Sequence, residues 1–130
     1  MLTLFMKERE AIINNYIDGY NHFDVDKMVA NFDDNIVFEN VSNGETNMSL
    51  MGVKAFREQA ELAKSYFSIR TQTIKSFVHQ EDETQIEIEY KAILAIDFPN
   101  GVKKGDELNL KGKSNFKFFG DRIIQLTDIS

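Results

Sequence analysis

The sequence contains no cysteine and only two histidines, so proton-transfer chemistry has to come mainly from carboxylates, phenols and amides. Asp128 stands out among the acids. In the segment Ile123–Asp128 it alternates with Ile124 and Leu126, so a strand that turns those two toward a core turns this carboxylate inward as well. A desolvated carboxylate keeps its proton to higher pH and can act as a general base or acid near neutrality. Two residues from the chain end, a solvated acid or a surface ion pair is commonplace, and both readings stay open. Tyr16 falls on the apolar face of a helical segment with Ile13, Ile17 and Tyr20, and Asn40 continues an alternating face with Ile36 and Phe38. A buried phenol or amide needs a hydrogen-bond partner, so each is either a staple within the core or a polar anchor in a pocket.

Other chemistries lack their residues. Without cysteine there is no thiolate nucleophile, zinc-thiolate site or disulfide framework. No phosphate-binding loop, G-x-S-x-G elbow or Ser-His-Asp pattern is present. His22 and His79 lie in polar stretches and are expected to be exposed. Asp24, Asp26, Asp33 and Asp34 occupy cap and turn positions, and no ligand spacing supports a metal, so neither metal nor organic cofactor is implied. A net charge of -6 without a basic stripe argues against nucleic acid. The N-terminal apolar start meets Lys7, Glu8, Arg9 and Glu10 too soon for a signal-peptide core, and no apolar run approaches the ~20 residues of a membrane span. The expectation is a soluble cytoplasmic protein of one domain, residues 1–130.

The elements that must position these side chains follow from periodicity. Ile13, Tyr16, Ile17 and Tyr20 mark a helix over residues 3–21. Asp24 caps a second, short helix ending by about Asp33–Asp34, with Val25, Met28, Val29 and Phe32 on one face. From Ile36 the period becomes two, and Asn43-Gly44 turns the chain into a short returning strand. A third helix runs from Gly52 to about Tyr66 with Phe56, Ala60, Ala63 and Phe67 on one side. Four strand-like segments follow, joined by loops short enough to require antiparallel hairpins. In the third of them Leu108, Leu110, Ser114, Phe116 and Phe118 share a face. In the second, Ala92–Ile96 is apolar on both faces, which predicts either a bulge that reverses the pleat or a second subunit covering the outer face. Three helices packed in a strongly bent, mainly antiparallel sheet make an α+β cone, closed at one end and open at the other.

The stretch YIDGYNHFDVDKMVANFDDNIVFEN (residues 16–40), the helix start at Gly52–Phe56 and the closing FKFFGDRIIQLTDI resemble the nuclear-transport-factor-2-like superfamily. That superfamily includes ketosteroid isomerase, the SnoaL-like polyketide cyclases and limonene epoxide hydrolase, and the resemblance implies a cystatin-like cone. The isomerase pattern puts its oxyanion-hole tyrosine on Tyr16, its catalytic base on Asn40 and its second oxyanion-hole acid on Ser114. An amide cannot take a proton at useful pH, so steroid isomerisation is not expected. The SnoaL-like pattern puts its proton-transfer aspartate on Asp128, and the epoxide hydrolase pattern uses Asn40 and Asp128 to hold a water. The latter's arginine and second aspartate fall near Lys91 and Ile93.

These readings converge on a SnoaL-like protein that holds an apolar or amphipathic small molecule. Tyr16, Asn40 and Ser114 are its polar anchors, Asp128 its possible base, and Phe32, Phe56 and Phe116 its apolar wall. Two functions remain open. One is a proton-transfer enzyme of the isomerase, cyclase or hydratase type. The other is a non-catalytic ligand-binding or dimerisation module, with a homodimer expected through the convex sheet face at Ala92–Ile96.

Overall fold

The computed structural model describes residues 2–130. Helix α1 (Leu4–Asn21) starts where the Thr3 hydroxyl accepts a 3.1 Å hydrogen bond from the Met6 N–H, and α2 (Val25–Met28) starts where the Asp24 carboxylate accepts one from Lys27 N–H at 3.1 Å. Gly19 has a packing role between them. A Cβ there would sit 2.8 Å from Met28 N and 3.0 Å from the Asp24 carbonyl oxygen, so the two helices approach over bare backbone.

Helix α2 is shorter than its sequence pattern predicts. The chain leaves it after Met28 and enters strand β1 (Phe32–Ser42), four residues before the expected Ile36, because Phe32 already pairs with Ile123. A register shift between Phe32 and Val37 absorbs the intervening polar residues. Strand β2 (Glu45–Met51) returns as predicted, then come α3 (Val53–Ala63), a single 3-10 turn at Lys64–Tyr66, and strands β3 (Phe67–His79), β4 (Glu83–Leu94), β5 (Glu107–Phe119) and β6 (Arg122–Ile129).

The six strands form one sheet in the order β2-β1-β6-β5-β4-β3. All neighbours are antiparallel except β1 and β6, which run parallel. The helices pack on its inner face around Ile13, Tyr16, Ile36, Ile86, Phe116 and Leu126, all buried. Each such large apolar side chain contributes about 1.5–3 kcal/mol by leaving water.

Several local expectations change. The pleat of β4 is not reversed at Ala92–Ile96. Ala92 and Leu94 point inward, Ile93 points outward, and the strand stops at Leu94, leaving Ala95 and Ile96 in the turn. The bulges lie elsewhere. In β3, Ser68 and Lys75 are extra residues, and in β6 Ile124 is, so Ile123 rather than Ile124 joins Leu126 in the core. His79 is not exposed. Its side chain retains 7 % of its surface, stacks on Phe77, and contacts Glu10 at 2.6 Å and Thr84 at 2.9 Å. His22 is exposed as expected. Among the described residues, no helix is long and apolar enough to cross a membrane.

Candidate functional site

Three of the predicted polar residues form one row across the sheet. Asn40 on β1 stands opposite Asp128 on β6, and Asp128 stands opposite Ser114 on β5. Directly opposed residues share a face, so the three side chains project together. Met48 continues the row on the β2 side and Ile86 on the β4 side, so the polar trio has apolar flanks.

The Ser114 hydroxyl, itself buried, donates to Asp128 Oδ1 at 2.7 Å. Burial pushes the Asp128 carboxyl up to about 6, against the opposing pull of the Ser114 hydrogen bond. Part of the residue's surface stays open, and that surface is cavity wall.

Asp128, Asn40 and Tyr16 line a cavity of about 220 Å³ together with Phe38, Phe56 and Arg70. A second lobe of about 250 Å³ shares Tyr20, Asn40 and Asp128 with the first and adds Gln72, Tyr90 and Ser114. Both lie just below the ~300 Å³ at which drug-sized sites begin, so the space suits a small molecule. A larger depression of about 550 Å³ is walled by the exposed side chains of Thr71, Thr73, Glu89 and Lys111 and includes neither Tyr16 nor Asp128.

Tyr16 is positioned by packing. Its ring stacks on Phe32 at 5.7 Å and meets the edge of Phe116 at 5.6 Å. Among the described residues no side-chain hydrogen bond to its hydroxyl contributes to its electrostatics, and the residue lines the cavity. Burial raises its pKa well above the ordinary phenol value. The Asp128 carboxylate adds to that rise and Arg70 opposes it. Tyr16 therefore stays protonated and remains a donor. Phe56 lines the cavity, whereas Phe32 and Phe116 sit one layer back and support the tyrosine ring.

Sequence reasoning missed the second half of the wall. Tyr20 and Tyr90 join hydroxyls at 2.9 Å, and burial raises the pKa of both. Arg70 on β3 retains 2 % exposure. Its Nε donates to the Tyr20 carbonyl oxygen at 2.8 Å, near the end of α1, where a cation also meets the negative end of the helix dipole. The guanidinium lies 3.8 Å over the Tyr20 ring and 4.5 Å over Phe23. Two reciprocal bonds between Asn21 and the Gln72 backbone, at 2.8 and 3.1 Å, hold this part of β3 against the helix. The resemblance looked for a cation near Lys91, but Lys91 is exposed on the outer face and Ile93 points outward too. The cation lining the cavity of about 220 Å³ is, among the described residues, Arg70. Among the described residues, no three His, Asp or Glu side chains gather as metal ligands.

The chain's relatives bear on this geometry. The SnoaL-like domain pattern matches residues 13–126. No curated protein sequence matches the chain. Among solved structures, a proposed SnoaL-like polyketide cyclase from Jannaschia sp. CCS1 superposes with a TM-score of 0.84 at 8 % identity, over 98 % of this chain and 88 % of that one. An LEH-like epoxide hydrolase from M. tuberculosis gives 0.75 at 14 % identity, over 95 % and 82 %. A protein with a ketosteroid isomerase-like fold from Catenulispora acidiphila, crystallised with trimethylamine, gives 0.73 at 12 % identity, over 90 % and 82 %. At these identities the likeness is one of fold.

Proposed function

The chain belongs to the SnoaL-like domain family, and from that premise we propose that it binds a small, partly apolar carbonyl compound in the Tyr16–Asn40–Asp128 cavity and moves a proton on it with Asp128. The observation that carries this reading is the Asp128 carboxyl itself, facing the cavity and raised to about 6. A general base works best when its pKa lies near the working pH.

Ser114 engages Oδ1, which leaves Oδ2 as the proton acceptor. The C–H bond next to the carbonyl breaks, its proton goes to Oδ2, and its electron pair moves onto the carbonyl oxygen as an enolate. Tyr16 and the Asn40 amide supply hydrogen bonds to that oxygen. In a β,γ-unsaturated carbonyl compound the dienolate takes that proton back at the γ-carbon, which completes an isomerisation with Asp128 regenerated. In a saturated one the proton returns to the α-carbon as exchange. The base then sits on β6, where the isomerase pattern would have placed it at Asn40 on β1.

Proton exchange tests this without knowledge of the natural substrate. Small cyclic ketones in D2O should exchange their α-hydrogens faster with the protein than without it. The rate should rise with pH through an inflection near the Asp128 value and fall at least ~100-fold in Asp128→Asn. Equal rates with and without protein would eliminate the catalytic reading and leave ligand binding alone.

A homodimer is a further part of this reading. Ile69 and Ile93 pair across β3 and β4 on the outward face, where Ile69 is largely exposed. A second copy would cover that face. Sedimentation of a monomer at micromolar concentration would remove this part.

A further inference from the structure

We propose that the ligand of this cavity carries a carboxylate, and that the Arg70 guanidinium is its seat. The proposal rests on the reading of the Tyr16–Asp128 cavity as a ligand site and adds the charge of what enters it.

Arg70 makes one hydrogen bond, from Nε to the Tyr20 carbonyl oxygen. Nη2 is buried and unpartnered, in a residue that lines the cavity. Among the described residues no carboxylate comes within 4.0 Å of the guanidinium. The two aromatic faces and one helix carbonyl offset only part of the cost of taking a full charge out of water.

Asp128 shares the cavity but is not the counterion. Its hydrogen-bonded partner is Ser114, and its carboxyl stands above the ordinary range, whereas a guanidinium in contact would hold it below. The cavity therefore contains a cation lacking an anion and, at a distance from it, an acid that stays neutral in mildly acidic solution. Tyr16 lies within electrostatic reach of both. A small acid placed with its carboxylate on the guanidinium supplies the anion it lacks and extends its carbon skeleton toward Tyr16 and Asp128. A planar carboxylate matches the geometry of the guanidinium fork. The size is limited, because a cavity of about 220 Å³ holds roughly seven waters' worth of matter at ~30 Å³ each.

The experiment measures binding, so it is independent of turnover. Benzoate, hexanoate and 4-phenylbutyrate are titrated calorimetrically at low chloride into the full chain, each beside its uncharged amide. At least one acid should bind on the order of tenfold or more tighter than its amide. Arg70→Met should erase that preference, and Arg70→Lys, which keeps the charge but loses the fork, should retain only part of it. Circular dichroism on each variant shows whether it is folded, and the lysine variant keeps the test decisive if the methionine variant is not. Asp128→Asn should bind the acid more tightly at pH 8, since a nearby negative charge is gone. Acids that bind no better than their amides, or a preference that survives in Arg70→Met or is undiminished in Arg70→Lys, would overturn the proposal. Acid-selective binding without catalysed exchange on ketones would uphold the seat and remove proton transfer. Exchange without acid selectivity would do the reverse.

Discussion

Arg9 and Arg70 are equally buried, each at 2 % exposure, and each lies over two aromatic rings. At the β3–β4 hairpin Arg9 donates from Nη1 to the Gln80 carbonyl at 2.7 Å and from Nη2 to the Glu81 carbonyl at 2.5 Å, with Glu83 also accepting at 3.4 Å. Asp82 is near enough to favour its charge. Arg70 has one carbonyl and no acid. Each has one fully buried nitrogen without a partner, Nε for Arg9 and Nη2 for Arg70, but Arg70 is on a cavity wall. Burial alone therefore does not separate a structural arginine from a binding one. The difference lies in which hydrogen bonds the fold itself has filled.

That difference predicts unequal responses to one substitution. Arg9→Met removes donors from hairpin carbonyls and should destabilise the protein by about 3 kcal/mol. Arg70→Met replaces an underpaired buried charge with an apolar chain of similar length and should change stability by no more than about 1 kcal/mol, in either direction. Denaturant unfolding of both variants makes the comparison. Equal losses would mean that Arg70 is as structural as Arg9.

The two arginines also mark where sequence patterns stop being informative. Periodicity predicted three helices, the return of β2 and a bent, mainly antiparallel sheet, because regular elements advertise their buried face. Asn40, Asp128 and Ser114 could each be assigned a face for the same reason. Arg70 could not. Simple alternation from Phe67 would put Ile69 inside and Arg70 outside, but the extra residue at Ser68 inverts the pleat, exposing Ile69 and burying Arg70. Neither a serine nor a lysine announces a bulge. Ile124 in β6 misled in the same way, though Leu126 and Asp128 beyond it kept their predicted face. The buried state of His79 depends on Glu10, 69 residues away, and local polarity carries no trace of such a contact.

Asp128 sharpens the contrast between the two ends, since the cavity holds a second group whose charge the fold disfavours. Its folded-state pKa of about 6 lies above the ordinary carboxyl value of 3.8. Stability from this group is fully present below the unfolded value and is lost as pH rises through the folded one, when burial must accommodate a charge. The difference corresponds to about 2–3 kcal/mol by pH 8. Asp128→Asn should thus stabilise the protein at pH 8 by up to that amount and leave it nearly unchanged at pH 4. Thermal unfolding across this range checks the sign. A variant less stable than wild type at pH 8 would mean that the carboxylate has a favourable partner in the folded state.

Ser114→Ala is the finest of these probes. The hydroxyl donates to Oδ1 and so favours the ionised carboxylate. Its removal should leave Asp128 more reluctant to ionise, moving the inflection of proton exchange to higher pH. The stability cost should be about 1 kcal/mol, the usual net value of one hydrogen bond. Its sign is informative because the bond opposes burial. At pH 8 the loss should exceed that at pH 4, where the carboxyl is largely protonated and the two oxygens can bond in the other direction. Exchange kinetics on a small cyclic ketone and unfolding at both pH values separate the two effects. An unmoved inflection with an unchanged stability would mean that water replaces the hydroxyl. The lobe beside Ser114 would then be wet, in contrast to the packed surroundings of Arg9.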